Sequence, residues 1–295
     1  MLYLLIIIVN LGLSMFDIKD KNILITGATS GIGRAAALEL SRLGGNIFFI
    51  ARNKKKADEL SEEIEKLSGK TSKAIMADLS SQKDIIKAAN EFRSFNIPLH
   101  VLLNNAGLIN MERKETVDGF EEVFALNHLA YYSLTQLLLD SIKNGTSSRI
   151  VNVSSGAHAF VKGFNFDDVQ SLNSYKPFQV YGYSKLANIL FTKKLASLLK
   201  DEDITVNCLH PGVVGTAFGQ NNGSLQKVLF FIAKPFIRSP EKGAESSVYL
   251  CSSPEVSNTT GEYFYNCKIE KTTKWAKSEE DADRLWSLSR ELTGL

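Results

Sequence analysis

Tyr181 and Lys185 stand four positions apart in the segment Tyr-Gly-Tyr-Ser-Lys, inside a helical pattern over 180–200. Side chains four apart share one face of a helix. A tyrosine has a pKa near ~10, and a neighbouring ammonium is expected to lower it by favouring the phenolate. Tyr183 is a rival, but Ala187 occupies its i+4 position. The pair therefore predicts proton transfer to or from a carbonyl or alcohol oxygen.

A glycine-rich turn supplies a second chemical signal near the start of the chain. The run Thr-Gly-Ala-Thr-Ser-Gly-Ile-Gly at 26–33 follows an apolar run at 22–25 and leads directly into a helical pattern at 32–43. Such a turn lets the backbone approach a pyrophosphate, and the helix start offers free N–H groups. We expect a dinucleotide to bind at Gly27, Ser30, Gly31, Ile32 and Gly33.

The end of the second predicted strand indicates which dinucleotide is bound. An NAD site needs an Asp or Glu there for the ribose 2′-hydroxyl. This sequence has Ala51, Arg52 and Asn53 instead, and Arg34 follows the glycine-rich turn. A guanidinium can pair with a 2′-phosphate, so the sequence favours NADP(H) over NAD(H). The alternative is that Arg52 is only a solvated loop charge.

Two further strand ends carry cofactor candidates. Asp78 and Leu79 end the third predicted strand and could meet the adenine edge. The fourth strand ends in Asn104 and then in three residues expected near the cofactor, Asn105, Ala106 and Gly107. Small residues permit close approach, and the amides could also tie neighbouring strands together.

The elements that position these residues alternate between short apolar runs and helical patterns. Predicted strands cover 22–25, 46–50, 73–77, 99–103, 149–153, 204–209 and 262–265, and predicted helices cover 32–43, 53–67, 81–95, 117–143 and 180–200. This alternation predicts a doubly wound α/β fold of about seven mostly parallel strands with helices on both faces. No linker interrupts 15–295, so we expect one domain of Rossmann type.

Composition excludes several classes of function. The 295 residues are 44% hydrophobic and 22% charged, with a net charge of +2. This balance gives no reason to expect nucleic acid as a partner. Cys208, Cys251 and Cys267 lie far apart and form no Cys-x-x-Cys pair, which argues against a disulfide framework and against a metal site. We therefore expect a reducing, cytoplasmic location.

The first residues form a separate apolar segment, 1–14. Leu2–Val9 is continuously apolar and the run fades by Leu13, so as a helix it would span only ~20 Å of the ~30 Å hydrocarbon core. No basic residue precedes it and no small-x-small cleavage pattern follows. Two interpretations remain open: a short membrane anchor, or a start codon placed ahead of the true start at Met15.

Taken together, the motifs resemble those of the short-chain dehydrogenase/reductase family from Lys21 to the C-terminus. The matching segments are, in order, Thr26–Gly33, Asp78, Asn104–Gly107, Asn127, Ser154–Ser155, Tyr181–Lys185 and Pro211–Gly212. The resemblance implies an oxidoreductase that moves a hydride to or from a nicotinamide while the protein handles the proton.

The same resemblance implies roles for individual residues. Ser155, in preference to Ser154, should hydrogen-bond the substrate carbonyl. Asn127 should hold a proton-relay water near Lys185, and Lys185 should also bind the nicotinamide ribose. The carboxamide end of the nicotinamide should meet the turn that contains Pro211, Gly212, Val213 and Thr216.

Narrower motifs are similar to the retinol dehydrogenase-like branch of that family. They include 127–129, 150–155, 183–188, 210–214, 261–267 and 284–286. This branch implies a preference for NADP(H) and often an apolar N-terminal anchor. Apolar stretches at 160–166 and 228–237 favour a lipophilic alcohol, aldehyde or ketone. The second stretch could instead be a lid, or could contact a membrane or a second subunit in a homodimer. The rival function is a non-catalytic NADP-binding scaffold that senses redox state.

Overall fold

One mixed sheet forms the centre of the protein. The computed structural model describes residues 16–214 and 238–295. Its strands are β1 (Asn22–Thr26), β2 (Asn46–Ala51), β3 (Lys73–Met76), β4 (Val101–Asn104), β5 (Ser148–Val153), β6 (Ile204–His210), β7 (Tyr263–Tyr265) and β8 (Lys268–Ile269). They lie in the order β3-β2-β1-β4-β5-β6-β7-β8. All neighbouring pairs are parallel except β7 and β8.

Helices cover both faces of this sheet. They are α1 (Gly31–Arg42), α2 (Lys54–Ser68), α3 (Gln82–Ser94), α4 (Glu122–Phe124), α5 (Ala130–Lys143), α6 (Pro177–Leu198), α7 (Pro240–Ser252) and α8 (Glu279–Thr293). The predicted doubly wound α/β fold is confirmed. The eighth strand was not predicted; it returns from β7 through Asn266 and Cys267, both with positive φ, which is the geometry of a tight hairpin turn.

The core lies in layers on the two sides of the sheet. Leu24, Leu102 and Ile150 point to the side that packs with α3, α5 and α6. Leu103 and Val151, one residue on along their strands, point to the side of α1, α2 and α7. Strands buried on both faces read as continuous apolar runs, which is why the sequence located them.

One predicted helix is shorter than its sequence pattern indicated. The prediction ran from Val117, whereas α4 begins at Glu122. The Glu121 carboxylate accepts hydrogen bonds from the backbone N–H groups of Val123 (2.9 Å) and Phe124 (2.7 Å), which caps the helix there. A π-helical turn, Ala125–Leu129, then separates α4 from α5. Apolar periodicity does not report such an interruption, which widens the helix by one residue.

Two helices, α7 and α8, were absent from the prediction although each begins with a serine cap. Ser239 accepts from the Lys242 N–H, with Pro240 at the first helical position, and Ser278 accepts from the Asp281 N–H. α8 packs on α6 through a third apolar cluster that includes Leu285. It therefore covers the outer face of the helix that carries Tyr181 and Lys185.

Parts of the sequence interpretation fall outside the described residues. These are the apolar segment 1–14 with the alternative start at Met15, Thr216, and the apolar stretch 228–237. Within 16–214 and 238–295, none of the helices combines the length and the hydropathy needed to span a membrane.

Candidate active site

The structure brings Tyr181, Lys185 and Ser155 together beyond the carboxyl end of β5. The Lys185 Nζ lies 5.5 Å from the centroid of the Tyr181 ring. The Ser155 side chain hydrogen-bonds Tyr181. Its Oγ also accepts from the Ala157 N–H at 3.1 Å, which fixes the serine side chain. Tyr181 is partly exposed and Lys185 is buried, so the phenol can meet a substrate while the ammonium stays out of solvent.

Burial sets the proton affinities of this pair, and the direction differs from the sequence prediction for the tyrosine. Loss of solvation raises the pKa of Tyr181 to about 12, with the Ser155 hydrogen bond acting against it. Loss of solvation lowers the pKa of Lys185 to about 7. The predicted lowering of the Tyr181 pKa by Lys185 is therefore wrong, because desolvation of the phenolate outweighs the hydrogen bond from Ser155.

Lys185 is held in place from three sides. Its Nζ donates to the carbonyl oxygen of Val153 at 3.1 Å. Its own carbonyl accepts from the Ser154 hydroxyl at 2.7 Å, so Ser154 anchors α6 to the end of β5. The Tyr131 ring lies 5.9 Å from Nζ. Of the two serines, only Ser155 is left partly exposed at the site.

Asn127 lies in the π-helical turn with its side chain fully engaged. Its Oδ1 accepts from the Leu108 N–H at 2.8 Å, and its Nδ2 donates to the Leu108 carbonyl at 2.9 Å and to Ser184 Oγ at 3.0 Å. A side chain on Gly107 would come within 3.1 Å of Asn127 Oδ1 and 3.4 Å of Lys185 Nζ. Glycine at 107 thus leaves room for these two groups to approach each other.

The glycine-rich turn packs directly on the end of β4. Gly27 has φ +67°, and a Cβ on Gly33 would lie 2.2 Å from the Gly27 carbonyl oxygen and 2.4 Å from Asn105 Nδ2. The Asn105 Nδ2 donates to the carbonyl of Thr26 at 2.9 Å. Thr26 Oγ1 in turn accepts the backbone N–H groups of Asn105 and Ala106. The two motifs therefore form one rigid unit of backbone at the point where strand order reverses, between β1 and β4.

The start of α1 has no side-chain cap, which suits an anion. Ser30 has extended backbone at the N-cap of α1, but its side chain makes no capping hydrogen bond, and the first turn holds no acidic residue. By contrast, the N-cap side chains of α2, α3, α7 and α8 each accept from a backbone N–H. Uncapped N–H groups and the positive end of the helix dipole fit a dinucleotide phosphate.

The remaining cofactor candidates lie along the same edge of the sheet. Arg52 is exposed just after β2. Arg34 forms an ion pair with Glu63 of α2, so part of its charge is neutralised within the protein. Asp78 Oδ1 accepts from the N–H and hydroxyl of Ser80, at 2.9 and 2.8 Å. Leu79 is buried beside it.

A sharp turn follows β6, where the sequence placed the carboxamide contact. Pro211 is buried and Val213 is exposed. Gly212 has φ +87°, and a Cβ there would lie 2.7 Å from Arg238 Cδ. The Arg238 guanidinium donates to the Tyr265 hydroxyl at 2.7 Å. Sequence reasoning missed Arg238, because its contact with Gly212 depends on a backbone bridge between Arg238 and Val214, with the Arg238 N–H donating to the Val213 carbonyl at 2.8 Å.

Buried amides tie the catalytic strands to the helices behind them. Asn104 Nδ2 donates to Asn152 Oδ1 at 2.9 Å and to Thr135 Oγ1 at 3.2 Å. Asn152 Nδ2 donates to Thr192 Oγ1 at 3.0 Å. Sequence reasoning anticipated that amides after β4 would tie strands. It named Thr26 only as part of the glycine-rich turn, and it missed Tyr131, whose hydroxyl donates to the Ala106 carbonyl at 2.9 Å.

A doubly wound sheet with an uncapped glycine-rich helix start and a tyrosine–lysine pair beside the switch point defines a nicotinamide-dependent oxidoreductase. Comparison with known proteins agrees with this class. The family model described as short chain dehydrogenase matches residues 21–227. The chain belongs to that family.

Several relatives place the chain in the retinol dehydrogenase-like branch. The chain is 39% identical to retinol dehydrogenase 14 of Homo sapiens, over 93% of this chain and 87% of that protein. It is 38% identical to polyprenol dehydrogenase of Homo sapiens, over 94% and 86%. These matches show an oxidoreductase that acts on CH–OH donors.

Solved structures give the same fold. A putative uncharacterized protein from Mycobacterium paratuberculosis aligns with TM-score 0.77 and 26% identity, over 95% of this chain and 96% of that one. A putative NAD(P)-dependent gluconate 5-dehydrogenase from Beutenbergia cavernae, with bound NADP, aligns with TM-score 0.70 and 26% identity, over 85% and 96%. The chain therefore uses a nicotinamide dinucleotide and a small substrate.

Proposed function

We propose that this protein is an NADP(H)-preferring oxidoreductase that interconverts a lipophilic alcohol and its aldehyde or ketone, with Tyr181 as the general acid and base. The observation that carries the proposal is the geometry of the catalytic group. Tyr181 is partly exposed and hydrogen-bonded to Ser155, and the buried side chain of Lys185 lies beside it. Ser155 and Asn127 complete the catalytic set with Tyr181 and Lys185.

The side chains divide the proton chemistry among them. Ser155, fixed by the Ala157 N–H, is placed to hold the substrate oxygen next to Tyr181. Tyr181 carries its proton at neutral pH and is placed beside Ser155 to give it to the oxygen of a carbonyl undergoing reduction. The Lys185 ammonium then stabilises the phenolate that remains. The bound cofactor supplies or accepts the hydride.

We further propose that the dinucleotide lies along the carboxyl edge of β1–β6. Its contacts would be Gly27, Ser30, Gly31, Ile32, Gly33, Arg52, Asp78, Leu79, Asn105, Ala106, Gly107, Tyr181, Lys185, Pro211, Gly212, Val213 and Thr216. Preference for NADP(H) is supported by the exposed Arg52 after β2, where an NAD site needs a carboxylate. The NADP-bound relative from Beutenbergia cavernae supports it as well.

A lipophilic substrate is supported by the names of the relatives, which are retinol and polyprenol dehydrogenases. Large apolar side chains also stand exposed on segments next to the catalytic residues: Phe160 is 61% exposed and Phe178 is 55% exposed. Three points stay predictions. Residues 15–295 form one domain, Leu2–Val9 contact a membrane or the chain starts at Met15, and the protein forms a homodimer.

A substrate panel with both cofactors tests this function. Purified protein is mixed with NADPH or NADH and with aldehydes that range from short and polar to long-chain and retinoid. We expect oxidation of NADPH with the lipophilic members and a clear preference over NADH. Preference for NADH would contradict the cofactor assignment. Tight NADPH binding without turnover of any member would favour the non-catalytic scaffold instead.

A further inference from the structure

Tyr131 lies on α5, four residues after Asn127, and its ring faces the catalytic lysine. The Lys185 Nζ lies over this ring, 5.9 Å from its centroid. Both residues are buried, with 1% of Tyr131 and 2% of Lys185 exposed. A cation over an aromatic face is attracted by the ring quadrupole, and the attraction is stronger where water is excluded. Tyr131 therefore stabilises the charged form of Lys185 by a contact other than a hydrogen bond.

This contact matters because Lys185 is a buried cation that lacks an opposite charge. Within residues 16–214 and 238–295, no carboxylate forms an ion pair with it, and its Nζ donates to the Val153 carbonyl at 3.1 Å. Burial favours the neutral amine and lowers the pKa of Lys185 to about 7. The groups that face Nζ therefore determine how much of the lysine is charged at neutral pH.

Four elements place a group near Nζ, and two of these groups titrate. α5 contributes the ring of Tyr131, and α6 contributes the ring of Tyr181, whose centroid lies 5.5 Å from Nζ. β5 contributes the Val153 carbonyl, and the π-helical turn contributes Asn127, neither of which titrates. Both titrating groups are phenols with raised pKa values, so both face the lysine as neutral rings at neutral pH.

A buried hydrogen bond holds the Tyr131 ring in this position. Its hydroxyl donates to the Ala106 carbonyl at 2.9 Å. Ala106 is itself fixed, since its N–H donates to Thr26 Oγ1 at 2.9 Å. The ring therefore cannot turn away from Nζ without losing a hydrogen bond to the end of β4.

We propose that Tyr131 is a positioning residue for Lys185, and that its ring face keeps the lysine charged in a site that excludes water. The hydroxyl anchors the ring to the segment after β4, and the ring holds the ammonium beside Tyr181. The charged lysine is the form that stabilises the Tyr181 phenolate during proton transfer, so the catalytic part of this inference rests on the proposed function.

Fluorination of the ring tests the proposal, because it removes the negative ring face and keeps the ring's shape. The full chain is prepared as Tyr131→Phe and with pentafluorophenylalanine at position 131, and the unfolding free energy of the cofactor-free protein is measured against pH. Wild-type stability should rise from about pH 7 toward about pH 10, where the unfolded chain binds more protons at Lys185. Tyr131→Phe should keep this onset, and the fluorinated ring should move it about one pH unit lower.

Tyr132 provides the matched control. It is the next residue on α5, it is also 1% exposed, and its hydroxyl also donates to a backbone carbonyl, that of Leu295 at 3.3 Å. Its ring packs on Trp286 and Phe191. Tyr132→Phe should lower the melting temperature as Tyr131→Phe does. Pentafluorophenylalanine at position 132 should leave the pH of onset where it is in wild type.

Turnover with NADPH and retinaldehyde gives a second readout. Relative to Tyr131→Phe, the fluorinated variant should be about tenfold slower in kcat at pH 8 and about twofold slower at pH 6, because the pKa of Lys185 falls from about 7 by about one unit. A structural defect alone would slow kcat by one factor at both pH values.

The two readouts separate this inference from the proposed function. An onset that is the same for the fluorinated ring and for Tyr131→Phe would overturn the role of the ring face. An onset that Tyr131→Phe shifts as far as the fluorinated ring does would overturn it too, because the hydroxyl would then be responsible. If the fluorinated ring shifts the onset but wild type does not turn over, the role of Tyr131 stands and the proposed function fails.

Discussion

The two halves of the sheet build their parts of the site by different means. The half with β1–β3, α1 and α2 uses mainly backbone: Gly27 and Gly33 packed against the end of β4, and an uncapped helix start, with the exposed side chain of Arg52 beside them. The half with β4–β6, the π-helical turn and α6 uses buried side chains, with Lys185 and His128 both removed from solvent. Cofactor binding therefore depends on shape, and proton transfer depends on desolvation.

This difference predicts different failures. A change in the glycine half should weaken dinucleotide binding through steric conflict. A change at a buried proton-handling side chain in the other half should alter kcat and the pH dependence of stability more than it alters dinucleotide binding. The comparison fails if a variant in one half shows the signature expected of the other.

The largest effect is expected for Lys185→Met. Loss of the ammonium should lower kcat by about a thousandfold, within the usual contribution of a proton-transfer group. The same variant should be more stable than wild type at pH 6, because a buried charge without an opposite charge is costly. The folded pKa of Lys185 is about 7 and the unfolded value is near ~10.4.

The sign of the pH dependence follows from these values. Between pH 7 and 10 the unfolded chain binds more protons at Lys185 than the folded protein, so wild-type stability rises with pH. The advantage of Lys185→Met should therefore be largest below pH 7 and shrink toward pH 10. Denaturant unfolding at pH 6, 8 and 10 measures it, and a constant difference would contradict the assigned burial of the charge.

Gly33→Ala is expected to have the next largest effect. The added Cβ would lie 2.2 Å from the Gly27 carbonyl, so the turn must open. NADPH should bind about a hundredfold more weakly, comparable to the loss of ~2.7 kcal/mol of binding energy. Gly69→Ala is the control, since Gly69 has nothing within 4 Å of the added methyl and its positive φ makes the substitution cost stability. It should cost stability alone, measured by melting and by fluorescence titration of NADPH.

His128 should make the protein sensitive to mild acid. Burial lowers its pKa to about 4, so between pH 6.5 and 4 the unfolded chain binds the proton more readily and stability falls as pH falls. At ~1.36 kcal/mol per pKa unit the fall is about 3 kcal/mol. His210, with a pKa also lowered to about 4, adds to it. Comparing wild type with His128→Asn isolates one residue, and parallel curves for the two proteins would refute its part.

Arg52→Gln should give the smallest effect. Arg52 is exposed and its charge is screened by salt, so the preference for NADPH over NADH should drop only about tenfold and the drop should shrink in high salt. Lys55→Gln removes a nearby exposed charge from α2 and should leave the preference unchanged. Equal effects of the two variants would indicate that the positive charge of the surface attracts the cofactor in general, without a specific contact between Arg52 and the 2′-phosphate.

The same contrast explains how much could be predicted from the sequence. Glycine spacing and apolar strands are local features, so the doubly wound sheet and the Gly27–Gly33 turn could be predicted from the sequence. The placement of Tyr181 four residues from Lys185 could be predicted for the same reason. Caps such as Ser239 and Ser278 were present in the sequence but were not used, and α7 and α8 were missed.

The features that could not be predicted from the sequence are those that depend on tertiary packing. The π-helical turn at Asn127 and the contact of Arg238 with Gly212 depend on which elements meet. The direction of the Tyr181 pKa shift depends on how deeply the pair is buried, and spacing carries no information on burial. The Tyr-x-x-x-Lys motif thus identified Tyr181 and Lys185, but their pKa values depend on desolvation.

Tyr181→Phe tests the central claim most directly, because it removes one hydroxyl and keeps the ring. The experiment compares wild type and variant in two readouts: kcat with saturating NADPH and a lipophilic aldehyde, and the Kd of NADPH by fluorescence. We expect a loss of about a thousandfold in kcat, within the range for a removed general acid, and a Kd changed by less than about threefold. Turnover that survives in the variant, or a loss explained by weaker NADPH binding, would contradict the assignment of Tyr181 as the proton donor.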